Sequence, residues 1–177
     1  MEIMRDSFRE RIASWFFLAA GIVHELGRRP DEAEEAYRQC LLKDPGSDTA
    51  LFLLGQVLED QEKWEEAIGV YAELAERDPS HENAYYHRAC CLAKLGREEE
   101  AVEDCRRAIE AYAKHHAAYV VMGRILLRQG RLDEAGVAVE RAMEMKPKDP
   151  AVLQLARQVH LAADPARPLS EPGGPKR

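Results

Sequence analysis

Residues 51–79 read LFLLGQVLEDQEKWEEAIGVYAELAERDP, and two helical faces lie within them. Leu51, Leu54, Gly55 and Leu58 fall at i, i+3, i+4 and i+7, one side of a helix. Ala67, Tyr71 and Leu74 keep the same kind of spacing on a second helix. Gly55 and Ala67 are small where two such helices would cross closely. Pro79 ends the second, because proline lacks the helical N–H and disfavours helix in the residue before it. The stretch therefore encodes a helical hairpin.

The same signals recur in steps of 34 positions. The small residue returns as Gly21, Gly55, Ala89 and Gly123, and the alanine as Ala33, Ala67, Ala101 and Ala135. Four residues beyond each alanine stand Tyr37, Tyr71, Cys105 and Val139, and the helix-ending position holds Pro45, Pro79, Ala113 and Pro147. One hairpin cannot bury its apolar face alone, whereas stacked hairpins share a continuous core.

In this phase the chain resembles the tetratricopeptide repeat (TPR) family, whose pattern of about 34 residues is W-x₂-L-G-x₂-Y, A-x₃-F, P. The resemblance covers Ser14 to Asp149 without insertion, as four repeats at 14–47, 48–81, 82–115 and 116–149. It implies an all-α fold, a right-handed superhelical solenoid of four TPR helix hairpins with a concave and a convex side. Tyr37 and Tyr71 are expected to fill space between neighbouring hairpins.

Segments on either side extend the array. Residues 1–13 carry Ile3, Met4, Phe8 and Ile12, an N-terminal helical extension with one apolar side. It would either cover the first repeat as a lid or serve as a docking segment. Trp15, Phe16, Phe17 and Leu18 follow in succession and point all around their helix. Uncovered, they form a contact for a partner or for a second copy. Pro30 suits the first turn of a helix. At the other end Asp149-Pro150 supplies an N-cap and a first-turn proline. Val152, Leu155, Ala156, Val159 and Leu161 then make an amphipathic C-terminal capping helix at 150–163. Residues 164–177 are rich in Pro and Gly and are expected to be a disordered tail.

The third repeat departs most from the pattern. Arg88 takes a position where the family usually has leucine, so its stem is expected to be buried and its guanidinium wet or paired. Ala113 replaces the terminating proline. The expectation is a longer second helix or a turn imposed by packing.

Composition narrows the function classes. The 177 residues carry 46% hydrophobic residues and a net charge of -7. That charge argues against nucleic acid as the main partner, since no excess of Lys and Arg is available to displace phosphate counterions. The longest apolar run, Ile12 to Val23, is shorter than the roughly 18 residues a membrane span needs. Charged residues precede the run and no small-residue cleavage site follows it, so it does not read as a signal peptide. Cys40, Cys90, Cys91 and Cys105 lack CxxC spacing and read as buried thiols of a reducing cytoplasm.

In TPR arrays the first helix of each pair lines the concave groove. The resemblance carries the family's ligand-contacting positions to Leu18, Phe52, Tyr86 and Val120 in one column, and to Ile22, Gln56, Cys90 and Arg124 in a second. Four residues further lie Leu26, Asp60, Lys94 and Arg128. The first column is apolar, and the second turns basic along the array. This suggests a groove for a peptide or helix with an apolar face. Phe52 and Tyr86 would be its anchors, Gln56 a bond to ligand backbone, and Lys94, Arg124 and Arg128 a seat for a carboxylate. TPR co-chaperones grip a C-terminal carboxylate with Lys, Asn and Arg. The matching positions here, Leu18, Ile22, Gln56, Tyr86 and Cys90, keep none of those types, so that mode of binding is not expected.

No catalytic, metal or cofactor site is expected. His81, His115 and His116 fall at turns and read as solvated. His24 and His160 fall on apolar faces and read as core. Glu98, Glu99 and Glu100 suit a solvated helix start. The sequence thus describes a non-catalytic adaptor or scaffold for a protein or peptide partner. Two other readings stay open. One is a small chaperone, similar to the TPR chaperones of bacterial secretion systems. The other is a scaffold that assembles with itself, at a membrane or organelle surface, through its N-terminal apolar surface.

Overall fold

A computed structural model describes the backbone of residues 2–163 and the side chains of 9–163. Met1 and the tail expected at 164–177 lie outside the described residues. The described residues form nine α-helices and no strand. They are α1 (Glu2–Leu26), α2 (Pro30–Lys43), α3 (Asp48–Asp60), α4 (Trp64–Arg77), α5 (Glu82–Lys94), α6 (Glu98–Ala111), α7 (His116–Arg128), α8 (Leu132–Met145) and α9 (Pro150–Ala163).

Two loop devices repeat with the sequence. Between the helices of each hairpin one residue adopts a left-handed backbone: Arg28, Glu62, Gly96 and Gly130, with φ from 54 to 76°. Around Glu62 the amide of Lys63 donates to the Leu58 carbonyl and the Glu62 amide to that of Glu59. This six-to-one, five-to-two pairing satisfies the last carbonyls of α3. Between hairpins the side chain of Ser47, His81, His115 or Asp149 accepts a bond from the backbone three residues on, capping α3, α5, α7 and α9. These four lie 34 apart. The equivalent position in the first repeat is Ala13, which has no acceptor, and there the helix runs straight through. Residues 2–13 are thus the opening turns of α1 and do not fold back over Trp15 and Phe16, which stay 64 and 65% exposed.

His81 and His115 were expected as solvated turn residues. His115 is instead buried, and both are helix caps that use Nδ1 as acceptor. Without its proline, the third-repeat turn takes the same form as the other three. Helix α6 ends at Ala111, and the turn closes with the His115 amide donating to the Tyr112 carbonyl, 3.0 Å away. His24 and His160, expected in the core, are only half-buried.

Successive helices pack on one another from α1 to α9, and α5 on α7 and α7 on α9 add contacts between first helices. The core follows the hairpin crossings, with Ala33, Ala67, Ala101 and Ala135 all fully buried. Tyr71 is buried within its own hairpin as well as between hairpins. Its ring crosses Gly55, and it also stacks on His87 of the next hairpin at 5.5 Å. Arg88 is paired, as one of the expected outcomes had it. Its Nε and Nη2 donate to both carboxylate oxygens of Asp104, each at 2.6 Å.

Candidate functional site

The first helices α1, α3, α5 and α7 present the candidate residues. Phe52 on α3 and Tyr86 on α5 are half-buried and share a neighbour. His87 lies 5.4 Å from the Phe52 ring and 5.1 Å from that of Tyr86, edge-on to each. Each aromatic also packs on the capping histidine that follows its hairpin: Phe52 on His81 at 5.4 Å and Tyr86 on His115 at 4.9 Å. The two anchors therefore belong to one row, Phe52–His87–Tyr86, backed by His81 and His115. Part of each ring is already spent on the protein, and the remainder is what a ligand would meet.

His87 is fixed in turn by Glu59, whose Oε1 lies 2.9 Å from its Nδ1 and also accepts the Tyr71 hydroxyl. Sequence reasoning missed this group. The signal was present: Tyr37 and Glu25 stand at the same phase as Tyr71 and Glu59, and Tyr37 donates to Glu25 at 2.7 Å.

The other candidates divide by position. Leu18 and Gln56 are half-buried, and Ile22 is exposed on α1. Val120 does not line a groove. It is 6% exposed and lies in the core cluster with Val152 and Leu155, because α9 packs against α7 at that point.

Cys90, Lys94, Arg124 and Arg128 do come together. They line one cleft between α5 and α7, of about 540 Å³, walled by Ala93, Val121 and Ile125 with Glu98 at its rim. Arg124 and Arg128 also border an adjoining hollow with Gln154 and Gln158 of α9. Arg128 donates to Glu98 at 2.8 Å. The Lys94 ammonium lies 5.6 Å from the centre of the Trp64 ring. Among the described residues neither Lys94 nor Arg124 has a carboxylate partner within ion-pair distance. The cleft thus sets unneutralised positive charge above an apolar floor, in a chain whose net charge is -7. Burial pushes the Cys90 thiol up to about 11, so it stands in the cleft as a neutral group and not as a nucleophile.

Glu98 and Glu99 of α6 reach forward to the next hairpin, accepting from Arg128 and Gln129, while Glu100 pairs with Arg97. The acidic run expected as a solvated helix start is partly a tie between hairpins. Among the described residues no three metal-binding side chains lie close enough to hold an ion.

Family profiles described as tetratricopeptide repeat match residues 18–82 and 59–116, and a second such profile matches 92–159. The chain belongs to the tetratricopeptide repeat family. No curated protein sequence matches it. Among solved structures, MamA superposes with a TM-score of 0.80 at 22% identity, covering 85% of this chain and 82% of that one. YrrB, described as a TPR protein with an unusual peptide-binding site, gives 0.74 at 20% identity over 82% and 75%. The first TPR of Spaghetti (RPAP3), bound to the HSP90 peptide SRMEEVD, gives 0.64 at 25% identity over 68% and 95%. These likenesses fit the all-α superhelical TPR fold. Protein interaction is the role TPR modules share, and among the described residues no helix is long and apolar enough to cross a membrane.

Proposed function

We propose that this TPR module is a non-catalytic adaptor that holds a segment of a partner protein in its concave groove. The segment bears carboxylates that seat at Lys94, Arg124 and Arg128, and apolar side chains that lie along Phe52 and Tyr86. The observation that carries this reading is the pair of cations without carboxylate partners among the described residues, Lys94 and Arg124, on one apolar cleft. Charge left unpaired beside low-dielectric walls favours an anionic ligand. YrrB and Spaghetti support it as TPR proteins described with peptide sites. The grip differs from the co-chaperone clamp, since Leu18, Ile22, Gln56, Tyr86 and Cys90 hold none of its residues. The four free cysteines support a reducing compartment such as the cytoplasm as the place where it works.

Fluorescence anisotropy tests this with two labelled peptides, one with apolar residues followed by a Glu/Asp run and one with Gln/Asn in place of the acids. The acidic peptide should bind more tightly and weaken with salt. Arg124→Glu should cost about tenfold or more, since a charge-assisted bond contributes about 1.5–3 kcal/mol. Equal binding of the two peptides would overturn the reading.

A further inference from the structure

Among the described residues, helix α1 has one side without a neighbour. Trp15, Phe16, Val23 and Leu26 are 64, 65, 59 and 81% exposed, and Ile12 and Ile22 are 43 and 41% exposed. Gly21, on the opposite side, faces Tyr37 of α2. With half-buried Ala19, residues 12, 15, 19, 22 and 26 follow the alternating three-four spacing of a seam between two helices. Phe16 and Val23 widen it.

The register of the array excludes one occupant. Phe16 and Val23 stand where later hairpins have Ala50 and Val57, Ala84 and Cys91, and Ala118 and Ile125, none more than 1% exposed. There the side is covered by the second helix of the hairpin before: α2 on α3, α4 on α5, α6 on α7. That approach is close enough for alanine at the first of the two positions every time. Phe16 would hold such a helix away. At the far end of the array, α9 exposes only Leu153 and Leu161 among its described large apolar side chains. Head-to-tail stacking would therefore set a broad apolar side against a mostly polar one.

We propose that this side of α1 is the interface between two copies of the chain, their α1 helices antiparallel about a two-fold axis at Ala19. Ala19 then meets its counterpart, Trp15 meets Val23, Phe16 meets Ile22, and Ile12 meets Leu26. The largest side chains lie opposite smaller ones, and the smallest sits on the axis, where the helices come closest. The exposed fractions of the six apolar side chains amount to roughly 700–800 Å², near the ~800 Å² that each partner gives to a standard interface. Charge does not oppose the contact, since residues 9–26 of α1 carry Arg9 and Arg11 against Glu10 and Glu25. A patch that pairs with itself closes at two copies. Ile22 turns to the second copy in this arrangement, and the peptide site keeps Phe52 through Arg128.

Light scattering after size exclusion of the full chain tests this. The wild type should give twice the 20.0 kDa mass of one chain. Ala19→Glu and Ala19→Lys should each halve that mass, because like charges meet on the axis. Mixing the two should restore it, since only a two-fold contact brings position 19 to itself. Phe16→Ser, at an exposed position, should also give single chains, and circular dichroism confirms that each variant folds. A wild type that stays at one chain, a mass that climbs past two, or an Ala19→Glu dimer would overturn the proposal. So would a mixture that stays at one chain. Peptide binding by Ala19→Glu is independent of the outcome, so the two readings fail separately.

Discussion

Tyr71 lays its ring across the bare backbone of Gly55 and ends with its hydroxyl on Glu59, four residues further along the same helix. The Oη–Oε1 distance is 2.5 Å, and a Cβ built on Gly55 would lie 2.5 Å from the ring. Gly21, Glu25 and Tyr37 repeat the arrangement. In hairpin α5/α6 the three positions hold Ala89, Ala93 and Cys105, so glycine and tyrosine are given up together. Gly55→Ala should therefore overpack the crossing and cost about 1–3 kcal/mol. Combined with Tyr71→Cys it should cost less than the two single changes added. A denaturation cycle that closes additively, within about 0.3–0.5 kcal/mol, would refute the coupling.

Arg88 and Asp104 form a bidentate pair whose side chains are 17 and 6% exposed. The corresponding residues of the preceding hairpin are Leu54 and Val70. Removing only the arginine strands a buried carboxylate, so Arg88→Leu should cost about 3–5 kcal/mol. Arg88→Leu with Asp104→Val copies the earlier hairpin and should be neutral or up to about 1–4 kcal/mol more stable than wild type. If the double variant in urea unfolds no later than the single one, the pair is not what holds these helices.

His115 caps α7 through an unprotonated Nδ1 and lies against the Tyr86 ring. Burial holds its pKa below the ordinary 6.5, helped by His116 and His87 and opposed by its own backbone bond and by Glu82. The folded chain thus binds fewer protons at this site than the unfolded chain. Its contribution to stability is complete above pH 6.5 and declines as the pH falls from there through the folded value. His115→Ser, which borrows the cap of Ser47, should flatten the fall in urea midpoint between pH 7 and pH 5. An unchanged slope would assign the acid sensitivity to other groups.

The period of 34 was legible because each of its markers answers a local steric demand: small residues at crossings, proline after helices, tyrosine over glycine. The third-repeat turn was not legible in the same way. A reader looking for Ser, Thr, Asp or Asn at a cap passes over His81 and His115, whose Nδ1 does the same work. Nor does local spacing reveal that Arg88 meets Asp104, on different helices and 16 positions apart. Of the site, the basic end could be read because Lys94 and Arg128 share one phase of the repeat, and Arg124 stands one turn before Arg128 on the same helix. The burial of Val120 could not, because it depends on where α9 settles.

Contacts in this fold run from each hairpin to its neighbours, and side-chain hydrogen bonds between hairpins span 28 to 30 residues, as in Arg38–Glu66, Lys63–Glu34 and Gln129–Glu99. Among the described residues, the helix packing links each helix to those one or two places along the chain and does not join the two ends of the array. Duplicating or deleting one whole unit would leave every remaining junction with the partners it already has. Reach is therefore a quantity that gene duplication can adjust in whole steps, while the chemistry at either end is altered residue by residue.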